Sequence, residues 1–168
     1  SARFFNPADL AGTAVTFVNL GSAALANNIG TLTNASLSLT TTGGDIDAAS
    51  AASAYGNLTL ATGGGDVTQT DTLTVTGTTN INADNITLTE ANDFIGDVTI
   101  TAGTDASLTD ANSIQFATST VGGNMAVIAT NDVTQAAAAT LTVTGTTSLS
   151  ADNITLTEAN DFIGDVTI

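Results

Sequence analysis

One long stretch of this chain occurs twice almost unchanged, and that repetition limits what the chain can fold into. Thr72 to Ile100 (TLTVTGTTNINADNITLTEANDFIGDVTI) returns as Thr140 to Ile168 (TLTVTGTTSLSADNITLTEANDFIGDVTI). Only three positions differ: Asn80 against Ser148, Ile81 against Leu149 and Asn82 against Ser150. Polar replaces polar on either side of an aliphatic swap, the period-two pattern of a strand with one buried face. Long internal repeats of this kind belong to arrays in which each unit buries its apolar face only against the next.

A shorter period lies inside the long one. Cutting after each Gly that precedes an alternating run gives Ser36 to Gly56, Asn57 to Gly77, Thr78 to Gly96, Asp97 to Gly123, Asn124 to Gly145 and Thr146 to Gly164. The segments are of similar length, with Asp97 to Gly123 the longest. Each is expected to be one coil of a solenoid, closed by a Gly corner with positive φ. Three short strands per coil are expected. The first would stack Leu37, Leu58, Thr79, Val98, Met125, Thr147 and Val166. The second would stack Val67, Ile86, Val133 and Ile154, and the third Val75, Phe94, Val143 and Phe162. About seven coils at roughly 4.8 Å spacing make a rod on the order of 35 Å long. Residues 36–168 are the regular solenoid. Residues 1–35 form an irregular N-terminal coil or cap, with Val15, Phe17, Leu25 and Leu32 as one degenerate coil behind Phe4 and Phe5. At the other end, Asp165 to Ile168 supply only the first strand of a further coil.

Composition narrows both fold and function. Leu, Ile, Val and Ala fill a thin core while Thr, Asn, Gly and Asp dominate the rest, which favours strands and tight turns and gives an all-β chain. Sixteen carboxylates face a single basic residue, Arg3, with no Lys and no His, for a net charge of −15. Nucleic acid is excluded as a partner, because phosphate binding needs clustered Lys and Arg. The same charge disfavours anionic membrane surfaces. No Cys is present, so there is neither a disulfide framework nor a thiolate metal site. No apolar run reaches the length of a membrane span. Beginning at Ser1-Ala2-Arg3, the sequence reads as a processed product or an excised segment.

The wording of the repeat, ADNITLTEANDF followed by GDVTITAGTDASLTDANSI and then GGN-x-x-V-x-AT-x-DVTQ-x-x-x-LTVTGTT, resembles the passenger repeats of filamentous-haemagglutinin-like, two-partner-secreted adhesins and related autotransporter passengers. The resemblance covers roughly residues 36–168. It implies a right-handed parallel β-helix exported to the bacterial surface, with a role in attachment, aggregation or biofilm.

Candidate sites are few. Catalysis needs a nucleophile with a base, a carboxylate pair with substrate contacts, or His and Cys metal ligands. With no His, Lys, Cys or Trp and one Tyr, Tyr55, the chain is expected not to be an enzyme. It has no catalytic, cofactor-binding or metal residues to name. Glu90-Ala91-Asn92-Asp93, its copy Glu158-Ala159-Asn160-Asp161, and Gly63-Gly64-Gly65-Asp66 offer oxygens at turns, but Asx residues satisfying turn backbone are the simpler reading. A file of Asp45, Asp66, Asn85, Asp105, Asp132 and Asn153 before the second strand would bring carboxylates close together, and weak Ca²⁺ stabilisation is one way to relieve their repulsion. Outward pairs Thr68 with Thr70, Thr87 with Thr89, Ser107 with Thr109, and Thr155 with Thr157 raise the alternative of an ice- or mineral-binding array, although outward Thr is ordinary strand chemistry. Sequons at Asn34, Asn57, Asn85 and Asn153 are expected by chance in such a composition.

The expected function is a structural or adhesive segment of a secreted, extracellular bacterial surface fibre. It would form a stiff acidic rod whose partners are further coils, either by end-to-end self-association into a filament or by continuation in a longer chain, and a host or surface receptor. No membrane insertion is expected.

Overall fold

The computed structural model describes residues 15–20, 23–24, 33–48 and 53–168 of the chain, with side chains described for 36–48 and 55–168. Among the described residues there are twenty strands and no helix. Every recorded strand pairing is parallel, and pairing partners lie one coil apart. The protein is therefore an all-β parallel solenoid of about seven stacked coils, as the repeat requires. Phe4, Phe5, Leu25 and Leu32 fall outside the described residues. Val15–Leu20 pairs with Thr33–Thr41, and Ala23–Ala24 pairs with Ile46–Asp47.

Three faces run along the stack. The first carries the file Leu37, Leu58, Thr79 and Val98 and continues through Ser119–Val121, Leu141–Val143 and Asp161–Phe162. The second carries Ile46, Val67, Ile86, Ala106, Met125, Thr147 and Val166. The third carries Tyr55, Val75 and Phe94 and, higher up, Ile114, Val133 and Ile154. Alternate residues point inward, so Thr79–Ala83 and Val98–Ala102 bury every second side chain. The inward files merge into one continuous core, from Leu37 to Leu149, of side chains at most 5 % exposed. No coil could bury that surface alone, so the stack is the stable unit.

The sequence-derived coils need one correction. Val98 is followed one level up by Phe116, and Met125 by Thr147. The segment Asp97 to Gly123 therefore runs past its own starting point and makes more than a whole coil. Met125 stacks on Ala106 of the second face, not on Val98 of the first. The files Val67–Ile86 and Val133–Ile154 are both present but lie on different faces, and so do Val75–Phe94 and Val143–Phe162. The long repeat thus spans three turns and one face. Thr79 sits on the first face and its copy Thr147 on the second, while Ile86 sits on the second and its copy Ile154 on the third.

The closing glycines are also required for a different reason than expected. Among the described residues only Gly43 and Gly64 have positive φ for a glycine. The closing glycines stack on one another instead, and a Cβ on Gly96 would lie 2.3 Å from the carbonyl oxygen of Gly77, as one on Gly164 would from that of Gly145. Hydrogen bonding draws these backbones together at the corner, with Gly145 N donating to Gly123 O at 2.8 Å, and leaves no room for a methyl group. We expect Gly96→Ala to destabilise the protein by about 2 kcal/mol or more through overpacking against the coil below, measured by chemical denaturation. A cost within about 0.5 kcal/mol would show that the corner has slack.

Candidate functional site

The most elaborate polar constructions are ladders that run from coil to coil at the corners. Before the second face, Asp45 Oδ1 accepts from Asp66 N at 2.9 Å, Asp66 Oδ1 accepts from Asn85 N at 3.1 Å and Nδ2 at 2.9 Å, and Asn85 Oδ1 accepts from Asp105 N at 3.4 Å. Asp105 Oδ1 then accepts from Asn124 N at 2.7 Å, and Asn124 Oδ1 from Thr146 N at 2.9 Å. Each short side chain reaches to the backbone N–H of its counterpart in the next coil, where the strand has not yet begun. A second corner repeats the device, with Ser36 Oγ accepting from Asn57 N at 3.3 Å and Asn57 Oδ1 from Thr78 N at 2.9 Å.

The expected Asp/Asn file is thus present for its first four members and then continues through Asn124 and Thr146. Asp132 and Asn153 belong to a different corner, where Asn153 Nδ2 donates to Asp132 Oδ1 at 2.8 Å. In the file along the second face only Asp45 and Asp66 are carboxylates in direct succession, and backbone amides meet an oxygen of each. Among the described residues no group of three or more acidic, His or Cys side chains is arranged to hold a metal ion.

The Glu90-Ala91-Asn92-Asp93 segment is not a set of exposed oxygen ligands. Leu88 pairs with Leu108 and Asn92 with Asp110, so the lower strand carries extra residues that bulge outward, and Asn92 is turned into the interior, fully buried. Its amide forms a reciprocal pair with Gln69 of the coil below: Gln69 Nε2 donates to Asn92 Oδ1 at 2.7 Å and Asn92 Nδ2 donates to Gln69 Oε1 at 2.9 Å. Asn92 Oδ1 also accepts from Leu73 N at 2.9 Å, and Nδ2 reaches Leu88 O and Thr109 O at 3.1 Å. The second copy repeats the construction with Gln135 and Asn160, including Leu141 N to Asn160 Oδ1 at 2.8 Å. These amides close the coil where the ladder of strands is interrupted, and burial makes each of their bonds costly to lose.

Above Asn92 stands a carboxylate. Asp110 is 1 % exposed, with Oδ2 accepting from Phe94 N at 2.8 Å and Oδ1 from Asn112 N at 2.7 Å. Desolvation raises its pKa above the usual carboxylate value, the two backbone hydrogen bonds oppose that, and the nearby Asp93 charge adds to the rise. Two further buried polar atoms, Thr79 Oγ1 and its copy Thr147 Oγ1, face the core with no hydrogen-bond partner.

The outward Thr rows are mixed once the register is known. Along the second face the outward file is Asp47, Thr68, Thr87, Ser107, Ala126, Ser148 and Thr167, and Thr155 lies on the third face beside Thr134. Large exposed apolar side chains are scattered over the surface at Ile95, Ile128 and Ile163, with Val166 and Ile168 at the end of the stack. Among the described residues no helix is long and apolar enough to cross a membrane.

Parallel coils, an inward aliphatic file and corner ladders that bind coil to coil define a repeat protein of the β-solenoid class. Its family can be stated more closely. The family model described as Repeats of unknown function (DUF5649) matches twice, over residues 38–101 and 103–168, and the chain belongs to that family. Neither the curated proteins nor the solved structures contain a match to the chain.

Two outcomes follow from the polar groups. Asn92→Leu leaves the buried Leu73 amide without its acceptor and removes both hydrogen bonds to the half-buried Gln69, and is expected to cost about 3 kcal/mol. Asn160→Leu, at the half-buried copy, should cost clearly less in the same denaturation assay; equal costs would contradict the role of burial. For Asp110, the folded protein holds its proton to a higher pH than the unfolded chain does. Stability should therefore fall as pH rises from about 3.8 through the raised pKa. The unfolding free energy of Asp110→Asn, followed over the same range, should change less with pH than that of the parent.

Proposed function

We propose that this chain is a non-enzymatic structural segment of a secreted bacterial surface fibre or adhesin, working as a stiff acidic rod. The observation that carries this reading is the stack itself: one buried apolar cluster that extends from Leu37 to Leu149, with hydrogen bonds running from coil to coil along it. Such a rod resists bending and proteolysis because no coil can open without exposing its neighbours. Its net charge of −15 with a single basic residue keeps it soluble and apart from copies lying alongside. The resemblance of the repeat wording to adhesin passenger repeats supports an extracellular location and end-on partners, with more coils added by stacking or by continuation.

The hydrogen-bonded polar groups inside the stack and at its corners tie coil to coil. Asn92, Asp110 and the corner Asx residues bind backbone and one another, which supports a mechanical role over a catalytic one. The mixed outward file on the second face favours the rod over an ice- or mineral-binding array. Weak calcium stabilisation at the Asp45 and Asp66 corner is compatible with the rod and would be read as a rise in melting temperature on adding Ca²⁺.

Electron microscopy of the purified protein should show narrow rods or filaments of uniform width, and a thermal-hysteresis assay should be negative. Irregular globular particles, or ice shaping by the dilute protein, would overturn the reading.

A further inference from the structure

The two copies of the long repeat depart from each other at one place, and that place faces solvent. Asn80 and Asn82 stand where the second copy has Ser148 and Ser150, and both are exposed on the outward side of Thr79–Ala83. Elsewhere asparagine amides work for the stack: those of Asn57, Asn85, Asn92 and Asn124 bind a neighbouring coil. The side chains of Asn80 and Asn82, and of Asp84 two residues on, make no hydrogen bond among the described residues. The fold does not require these two amides, since serine fills both positions in the second copy.

Register sets the two amides in a regular surface on the first face. Asn80 lies between Thr59 below and Thr99 above, and Asn82 between Ala61 and Thr101. Such neighbours are about 4.8 Å apart from coil to coil and about 6.6 Å apart along the strand. Beyond Asn82 the row continues to the exposed carboxylate of Asp84, which lies against Gly103 of the coil above, while Asp84 N donates to Gly65 O of the glycine turn below at 2.9 Å. The row is therefore open to approach on both sides. In the second copy its neighbours are larger: Ile128, 55 % exposed, pairs with Ser150, and Asp152 N donates to Asn131 O at 2.6 Å.

The chemistry of the row selects its ligand. Amides and hydroxyls both donate and accept, and Asp84 accepts only, a set that matches the neighbouring hydroxyls of a sugar ring. With no Lys, and Arg3 as the one basic residue, nothing here holds phosphate, sulfate or carboxylate groups. No large apolar side chain is exposed beside the row, so a protein partner would find no anchor. We propose that Asn80, Asn82 and Asp84, with Thr99 and Thr101, form a binding site for an uncharged, extended polysaccharide. A chain lying along the stack meets a new coil about every 4.8 Å, close to the length of one sugar residue. Each contact is weak, and affinity comes from several made at once. The assignment names a partner for the adhesive part of the proposed function and rests on that part, not on the rod.

The test is an NMR titration of the full chain, whose side-chain amide signals report Asn80 and Asn82 directly. The probes are the soluble β-linked hexasaccharides of glucose, mannose and N-acetylglucosamine. At millimolar concentration at least one should shift both amides and the backbone signals of Thr99 and Thr101, and leave Ser148 and Ser150 unmoved. Asn80→Ser combined with Asn82→Ser, which copies the second repeat, should weaken binding by about tenfold or more. Ala61→Ile should weaken it too, by crowding Asn82 as Ile128 crowds Ser150. An oligogalacturonate, a charged sugar chain, should leave both amides unshifted. Silence at Asn80 and Asn82 with every neutral probe overturns the proposal, as does undiminished binding by the double variant or an equal response to the charged chain. Narrow rods in the electron microscope alongside silent amides would remove this site and leave the mechanical reading intact.

Discussion

Parallel hydrogen bonding between successive coils is the constraint from which the other features follow. Strands at roughly 4.8 Å spacing in parallel register place each side chain beside its counterpart one coil away. An inward residue must therefore tolerate its own kind above and below, which Leu37, Leu58, Val98 and their neighbours do by aliphatic contact. At the corners the same proximity becomes a demand on the backbone. Gly96 meets Gly77 too closely for a Cβ, and amides that no strand partner reaches are taken by Asp45, Asp66, Asn85 and Asn124. The buried amide pairs of Gln69 with Asn92 and Gln135 with Asn160 serve the same end where the chain bulges.

Where the stack departs from aliphatic files, the cost falls on identifiable groups. Asp110 occupies the level above Asn92 and holds two backbone amides at the expense of a desolvated charge. Thr79 and Thr147 carry buried hydroxyls without partners, each a loss of roughly 1–3 kcal/mol relative to a satisfied group. Both lie at the same repeat position, yet on different faces, so a local environment is reproduced even though its orientation is turned. The two family matches, over 38–101 and 103–168, each cover nearly one long period.

The alternation around Asn80, Ile81 and Asn82 and the recurrence of Thr72 to Ile100 make the parallel solenoid legible, and local files such as Val67 with Ile86 and Val143 with Phe162 fall with their true neighbours. What the alternation does not reveal is which face a strand occupies, because the three faces use the same aliphatic and Thr/Asn alphabet. Asp97 to Gly123 consequently reads as one coil. Gly at the corners is legible, but its cause is not, since a close approach between coils selects the same residue as a positive φ. Asn92 reads as one of several oxygens at a turn within a polar run. The signal that places it inside is the paired occurrence of Asp-Val-Thr-Gln before Leu-Thr-Val, at Gln69 and Gln135, with Glu-Ala-Asn downstream of each.

The central claim is that equivalent residues stack in vertical files and that one repeat advances by one face beyond three whole turns. With no native Cys, spin labels on introduced cysteines report it directly by pulsed dipolar spectroscopy. Thr87 and Ser148 are three coils apart in one outward file of the second face, so their backbone separation should be about 14 Å. Asn80 and Ser148, the same position in the two copies, should be farther apart because they lie on different faces. A shorter distance for Asn80 with Ser148 than for Thr87 with Ser148 would mean a whole number of turns per repeat and would contradict the account.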